Sequence, residues 1–361
     1  RDDCVSTRRL RDWLEDIRAE LVAGGTDITR PVAGEGAPSE AISEWQVRIN
    51  ALIERLTGDV PADPIQRTAE QQARWVLANI LDWHRRENKA LWWEYFRLAA
   101  LPADELFDER SGIAGITFVD TVGGTARAPI HRYKFPAQET DLRGGEEIKY
   151  VGGASLGKLE AISFDDRTID IRKRKDSADI HPEAVFAHQV INTDVLADSL
   201  VRIAEHVAEH GISGDGPFLA ARDMLLRVPP RLGDESIRND GESALNAALR
   251  VVPLLRGGVL PIQGPPGSGK TFTGARMICA LVSRGRKVGI TANSHKVIRN
   301  LLDEVVKVAG EQGMALQSIQ KVNEAADNQP RITFTQRNEE IFTALGGDCQ
   351  VAAGTAWLWA R

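Results

Sequence analysis

A chain of 361 residues has room for two to three domains. Hydrophobic residues at 42% and charged residues at 27% fit a globular protein, and no apolar run approaches the ~20 residues that span a bilayer, so no membrane partner is expected. The net charge of −6 excludes a uniformly basic surface; any nucleic-acid contact has to be a local patch. Cys4, Cys279 and Cys349 are odd in number and far apart. That argues against a disulfide framework or a zinc site and suits a reducing cytoplasm. The chain opens on Arg1, not Met, so its natural start is expected upstream.

Residues 5–22 read as an amphipathic helix, with Leu10, Trp13, Leu14, Ile17 and Leu21 at three- and four-residue spacing. Gly24-Gly25 ends it, and a Gly/Pro/Ala-rich stretch to Ser39 reads as a linker. A short helix over 42–57 follows. Thr68 and Gln71 form a capping-box pattern ahead of Trp75, Ile80, Leu81 and Trp83. His84–Asn88 interrupts the apolar pattern before a second helix with Leu91, Trp92, Tyr95, Phe96 and Leu98. A helical hairpin that turns these aromatics inward is the favoured reading over base stacking, because burial dominates the placement of Trp and Phe.

Residues 113–175 change character. Short alternating runs at Ile116–Val119, Ile130–Phe135, Glu147–Val151, Gly157–Ile162 and Thr168–Arg172, parted by turn residues, predict a small β-barrel of five strands. Arg172-Lys173-Arg174-Lys175 closes the last of them; a charge-guarded edge is the default reading, with nucleic-acid contact as the alternative. Thr193 is placed to cap a helix that ends at Gly211, with Val195, Leu196, Leu200, Ile203 and Val207 on one face. From Val259 the order becomes strand, loop, helix, strand, and an α/β domain begins.

Val259–Gln263 reads as a strand that runs into Gly264-Pro265-Pro266-Gly267-Ser268-Gly269-Lys270-Thr271, and a helix through Met277, Ile278 and Leu281 follows. This is G-x-x-x-x-G-K-[ST] in the strand–loop–helix context that a phosphate-binding loop requires. Glycines 264, 267 and 269 let the backbone wrap a phosphate and turn its N–H groups inward. The helix N-terminus adds a partial charge of about +0.5. Lys270 is the mobile charge for the β- and γ-phosphates of ATP, and the Thr271 hydroxyl suits Mg²⁺; these two are the candidate catalytic residues.

Gly285 ends that helix. The next strand, Val288-Gly289-Ile290, emerges at Thr291-Ala292-Asn293-Ser294-His295 and a further helix begins. Small polar residues there could cradle a backbone phosphate or merely cap the helix, and the pattern alone leaves the two even. Taken together, Gly264–Thr271, Thr291–Leu302 and Val351–Leu358 resemble motifs I, Ia and Ic of superfamily 1 helicases, most of all the 1B group that includes the nonsense-mediated decay helicases. The resemblance implies a RecA-like domain with ATP on the loop. It also implies single-stranded nucleic acid, DNA in preference to RNA, held by Asn293, Ser294, Gly354 and Thr355, and a β-barrel inserted on a helical stalk. The family's adenine-reading Gln has no counterpart in Glu242–Ala247, where Asn246 is the nearest substitute. The Asp-Glu pair of Walker B and the arginine finger are expected beyond Arg361, so binding without efficient turnover is expected of these residues.

At the other end, Arg1–Leu10 resembles the last motif of RNase H-like 3′–5′ exonucleases, which makes Asp3 a ligand of a nuclease Mg²⁺ or Mn²⁺; the rival reading is a helix cap. In this order the segments resemble bacterial RecB-like nucleases that carry a C-terminal helicase, a likeness that His84–Phe96 and Tyr133–Gly145 share. The expected plan is multidomain α/β. It comprises a nuclease C-terminal helix (1–24), linker and short helix (25–67), Trp-rich hairpin (68–112), small β-barrel (113–178), helical stalk (179–256) and an incomplete RecA-like parallel-sheet domain (257–361). A ring-forming AAA+ ATPase and a non-motor scaffold with a nucleotide switch are the rivals.

Overall fold

The computed structural model describes residues 2–26, 28, 40–324 and 326–361, with the side chains of 2–4 and 40–43 left out of the description. It divides into two compact units, residues 1–48 and 49–361. The first holds α1 (Asp2–Ala23), where Leu10, Trp13, Leu14 and Leu21 are exposed. Most of the linker expected over 25–39 lies outside the described residues.

In the second unit, α2 (Glu40–Thr57, from Ile49 onward) contributes Ile49, Leu52 and Leu56, spaced to bury one stripe. Helix α3 (Ala69–Ile80) starts on the predicted capping box: Thr68 Oγ1 accepts from the Gln71 amide at 3.2 Å, and Gln71 Oε1 accepts from the Thr68 amide at 3.0 Å. Helix α4 (Trp83–Ala100) corrects the break expected at His84–Asn88. Those residues are helical, and the interruption sits at Leu81-Asp82. Asp82 holds the new helix start by accepting from Arg85 Nε at 2.8 Å. A short helix, α5 (Ala103–Leu106), leads into the sheet.

That sheet has seven antiparallel strands: β1 (Gly112–Ala114), β2 (Thr117–Thr125), β3 (Ala128–Lys134), β4 (Glu147–Tyr150), β5 (Ser155–Ser163), β6 (Thr168–Lys173) and β7 (Ala184–Ala187), in the order β1-β7-β4-β5-β6-β3-β2. β1 and β2 lie at opposite ends of this order, yet only Gly115 and Ile116 join them. Seven strands at about 4.8 Å spacing make a flat sheet some 29 Å across, and the three Cα steps from Ala114 to Thr117 reach about 11 Å. The sheet therefore coils until its first and last strands meet at that corner, where Gly115 takes a φ of +66°. Ile113, Tyr133, Ile148, Leu156, Leu159, Ile169, Ile171 and Val185 fill the inside of the roll. Five strands were expected; β1 is only three residues long, and β7 (Ala-Val-Phe-Ala) has no alternation to betray it. β7 also carries the sheet past the expected boundary at 178.

Helix α6 (Asp194–His210) follows Thr193 and ends at Gly211, as expected, but Thr193 supplies no side-chain cap; its hydroxyl accepts from Asn88 Nδ2 at 3.5 Å. Helices α6 and α7 (Leu219–Leu226) pack on α3. Buried Asp223 accepts from Arg231 Nε and Nη2 at 2.6 and 2.8 Å, a bidentate pair that compensates its burial.

The C-terminal part alternates helix and strand: α8 (Ala244–Val251), α9 (Lys270–Val282), β8 (Val288–Ile290), α10 (His295–Glu311), β9 (Ser318–Lys321), β10 (Ile332–Thr335), α11 (Asn338–Gly346), β11 (Val351–Ala353) and α12 (Ala356–Trp359). Its four strands are all parallel, in the order β10-β9-β11-β8. Ala275, Ile278 and Cys279 of α9 and Ile298, Leu302 and Val305 of α10 cover one face over Ile290, Val351 and Ala353. Ile341 of α11 and Leu358 of α12 cover Ala352 and Ile319 on the other. A parallel sheet needs both faces buried, and this one has them. The strand expected at Val259–Gln263 is absent: these residues join no ladder, and Ile262 is exposed.

Candidate functional site: a glycine-rich loop at one sheet edge

Three contacts fix how the two covering helices run. Gly274 of α9 faces Leu301 Cδ1 of α10, Arg276 pairs with Glu304 at 3.5 Å, and Cys279 lies against the Val305 carbonyl at 3.7 Å. The numbers rise together, so α9 and α10 run in the same direction and their N-termini share one end. α10 begins directly after the carboxyl end of β8. β8 and β11 are parallel neighbours in register, with Ala353 opposite Ile290, so the residues after both strands emerge side by side. The result is one edge that collects Gly264–Lys270 at the head of α9, Asn293 and Ser294 at the head of α10, and Thr355 at the head of α12.

The loop's own geometry explains its glycines. Gly267 and Gly269 hold φ values of +79° and +81°, which side-chain-bearing residues adopt with strain. Gly264 lets Ser268 lie close: a Cβ there would stand 2.3 Å from Ser268 Oγ and would push that hydroxyl aside. The Ser268 amide turns back to the Pro265 carbonyl at 3.2 Å, and Gly269 opens α9 by accepting from the Thr273 amide at 2.9 Å. Lys270 Nζ donates to the carbonyls of Gly264 and Pro265 at 2.5 and 2.9 Å. An exposed ammonium held over the loop by two carbonyls is a charge that an arriving phosphate can recruit without unfolding anything. The Thr271 hydroxyl is exposed at the same helix start. The fit to a triphosphate rests on this cradle, and Thr271 is the residue that would hold Mg²⁺ with it.

The remaining predicted residues divide. Asn293 and Ser294 are exposed. Ser294 Oγ accepts from the Val297 amide at 3.3 Å, so it does cap α10 and presents its hydroxyl at the helix N-terminus at the same time. Gly354 is buried, its amide donates to the Ile290 carbonyl at 3.0 Å, and a Cβ would come within 2.5 Å of Leu358 Cδ2. Its role is to let α12 close over the sheet, and no N–H is left there for a ligand. Thr355 makes no side-chain cap and is half-buried. Asn246 is exposed at the start of α8, where its amide donates to Ser243 Oγ at 3.2 Å. α8 packs on α9, and Arg250 grips Glu242 with two bonds of 2.8 and 2.9 Å that hold the carboxyl well below the usual range, at about 2. Asp3 lies in the first turn of α1, and its side chain is outside the described residues. Among the described residues no cluster of three His, Cys, Asp or Glu could hold a metal on its own.

Sequence reasoning missed His295 and Gln320. His295 Nδ1 and Gln320 Oε1 are buried without a partner beneath the head of α10, while His295 Nε2 meets Asn323 Oδ1 at 3.2 Å and Gln320 Nε2 reaches the His295 carbonyl at 3.4 Å. The strand that holds Gln320 reads Ser-Ile-Gln-Lys, and nothing in that pattern marks the Gln as buried. No described helix is long and apolar enough to cross a membrane. No family model matches the chain, and no curated protein matches its sequence.

Proposed function

We propose that this chain supplies the ATP-binding and strand-gripping edge of a superfamily 1 nucleic-acid motor, in a protein of the RecB-like nuclease–helicase kind. Gly264–Gly269 and the start of α9 would cradle the β- and γ-phosphates of ATP, Lys270 would neutralise them, and the Thr271 hydroxyl would hold the Mg²⁺ that offsets their charge. Asn293, Ser294 and Thr355 take backbone phosphates of a single strand, DNA in preference to RNA. Asp3 serves a nuclease centre that binds Mg²⁺ or Mn²⁺.

The observation that carries this reading is the convergence of two helix N-termini on one sheet edge. The first is equipped with a complete phosphate loop, the second with exposed small polar residues. A regulatory switch needs only the first; a motor that couples nucleotide to strand needs both, and needs them on one rigid sheet. Binding is the activity to test, since the carboxyl ends of β8 to β11 bring no Asp-Glu pair to this edge among the described residues. Titration calorimetry with ATP and Mg²⁺ should give a saturable isotherm that Lys270→Ala abolishes while the far-ultraviolet spectrum stays unchanged. ATP at a hundred times its dissociation constant should add about 2.7 kcal/mol to the stability of the wild-type chain and nothing to the variant. Undiminished affinity in Lys270→Ala would overturn the assignment.

A further inference from the structure

Of the aromatics of α4, Tyr95 packs inward on Phe186, but its neighbours do not. Trp92, Trp93 and Phe96 are 44%, 72% and 60% exposed, against the packed hairpin that the sequence favoured. Contiguous exposed apolar surface is a mark of interaction sites. It borders a cleft of about 440 Å³ between α4, β4 and the residues that leave β7, lined by Trp92, Tyr95, Lys149, Arg174, His188 and Gln189. That volume lies in the range of small-ligand sites, about 300–1,000 Å³.

The rings are held in place. The Tyr95 hydroxyl donates to the Gly153 carbonyl at 2.8 Å, and His188 Nε2 lies 2.7 Å from the Leu91 carbonyl. Trp92 meets Tyr95 edge-on at 5.5 Å and His188 at 6.4 Å, which leaves part of the indole open to the cleft. The opposite wall is cationic. Lys149 Nζ sits 5.1 Å from the Tyr95 ring centre, and Arg174 is exposed beyond it. Glu147 is the one acid of the cleft, and Arg174 engages it at 2.9 Å. Beside it on the sheet, Lys158 of β5 stands opposite both Glu147 of β4 and Arg172 of β6, and Arg172 is paired with Glu160 at 2.6 Å.

We propose that this cleft takes one unstacked base of a single-stranded nucleic acid, stacked on Trp92, with the flanking phosphates on Lys149 and Arg174. A planar π-surface beside two cations matches a base and its backbone. An apolar protein segment would meet Lys149, Arg174 and Gln189 facing in. A duplex offers no free base face to the indole. The site needs no nucleotide on the phosphate loop and none of Asn293, Ser294 or Thr355, so it stands or falls apart from the function proposed above.

The test is fluorescence anisotropy of a 5′-labelled dT15 on the full chain, with heparin as an anionic control. Trp92→Ala should weaken dT15 about tenfold and heparin hardly at all, and Trp92→Phe should restore most of the affinity, since stacking tolerates any large ring. Lys149→Glu with Arg174→Glu should lower both affinity and its salt dependence, by about 1.4 in the log–log slope for two lost phosphates. An iodouracil-substituted strand should cross-link to the α4 peptide under ultraviolet light. No binding of dT15 at low salt would overturn the proposal, as would equal loss of dT15 and heparin in the charge variants with no effect of Trp92→Ala. If Asn293→Ala abolishes binding while the cleft variants retain it, the sheet edge alone grips the strand and the cleft assignment falls.

Discussion

The two sheets of this molecule put their chemistry in different places, and the difference follows from connectivity. In the antiparallel roll, neighbouring strands run in opposite directions, and three consecutive pairs (β2/β3, β4/β5 and β5/β6) are hairpins, so turns emerge at both ends and the interior is closed by Tyr133, Ile148 and Leu159. What is left for recognition is the outer surface, where α4 leaves its rings and β4 its lysine. In the parallel sheet every return passes through a covering segment, so all strands point one way and all helix N-termini collect at one edge. The recognition proposed there draws on backbone N–H groups and loop conformation more than on side-chain surface. The roll offers rings and cations; the parallel sheet offers helix ends.

If the two regions are separable in this way, glycine substitutions should break one without the other. Gly157 on β5 has a φ of +149°, and a Cβ there would lie 2.0 Å from the Arg172 carbonyl oxygen. Gly157→Ala should cost about 2–4 kcal/mol, the largest single effect we expect, because both backbone strain and a backbone clash have to be relieved. Gly354→Ala meets only a side chain, Leu358, and should cost about 1–2 kcal/mol. Thermal unfolding measures both. ATP affinity by calorimetry should survive Gly157→Ala, whereas oligonucleotide affinity should fall in Gly354→Ala as α12 and Thr355 shift. A loss of ATP binding in Gly157→Ala equal to that of Lys270→Ala would mean that the regions are one cooperative whole.

Features set by a few neighbouring residues were the legible ones, and for a physical reason. A turn that opens a helix needs glycine where φ is positive, so Gly267 and Gly269 are legible as the turn ahead of α9, while the phosphate they would hold belongs to the proposal. The Thr68–Gln71 box and the Gly211 helix stop are similarly local. The strand expected at Val259–Gln263 failed because a strand is a partnership, and an apolar run alone does not bring a ladder. The aromatics of α4 failed for the converse reason. Trp, Tyr and Phe are usually interior, and only the packing of α4 against His188 and Gly153, far along the chain, decides which rings stay outside. Gly354 was read as a ligand contact; the pattern could not reveal that its amide is taken by Ile290.

A titration can sharpen the contrast further. Lys173 on β6 is 1% exposed inside the roll, its ammonium donating to the carbonyls of Ser177 and Ile180 beside the Tyr133 ring. Burial pulls it down to about 8, against a partial opposing pull from Asp179. The unfolded chain therefore binds this proton more tightly than the folded one between about pH 8 and the ordinary lysine value of 10.5. Its contribution to stability is unfavourable below pH 8 and is relieved as pH rises through that window. From pH 8 to 9.5 the wild-type chain should gain on the order of 1 kcal/mol relative to Lys173→Met. Chemical denaturation at a series of pH values measures it. Parallel curves for the two proteins would show that Lys173 keeps its proton as easily folded as unfolded.

The smallest effect in stability is the most informative about the sheet edge. Ser294 caps α10, and the same hydroxyl is a proposed contact for a strand phosphate. The two roles have different chemical requirements. A cap needs either a side-chain acceptor or a backbone free to start the helix, so Ser294→Ala should cost about 1 kcal/mol and Ser294→Gly only a few tenths. A phosphate contact needs the hydroxyl itself, so both variants should weaken dT15 binding by a similar factor, although one of them is nearly as stable as the wild type. Ser294→Asp separates the roles from the other side. Its carboxylate caps well and complements the helix dipole, yet it repels a phosphate, and it should bind worse than either neutral variant. Affinity that tracks stability across Ala, Gly and Asp would make Ser294 a cap and nothing more. It would also leave the parallel sheet with one recognition element, the phosphate loop, where we have argued for two.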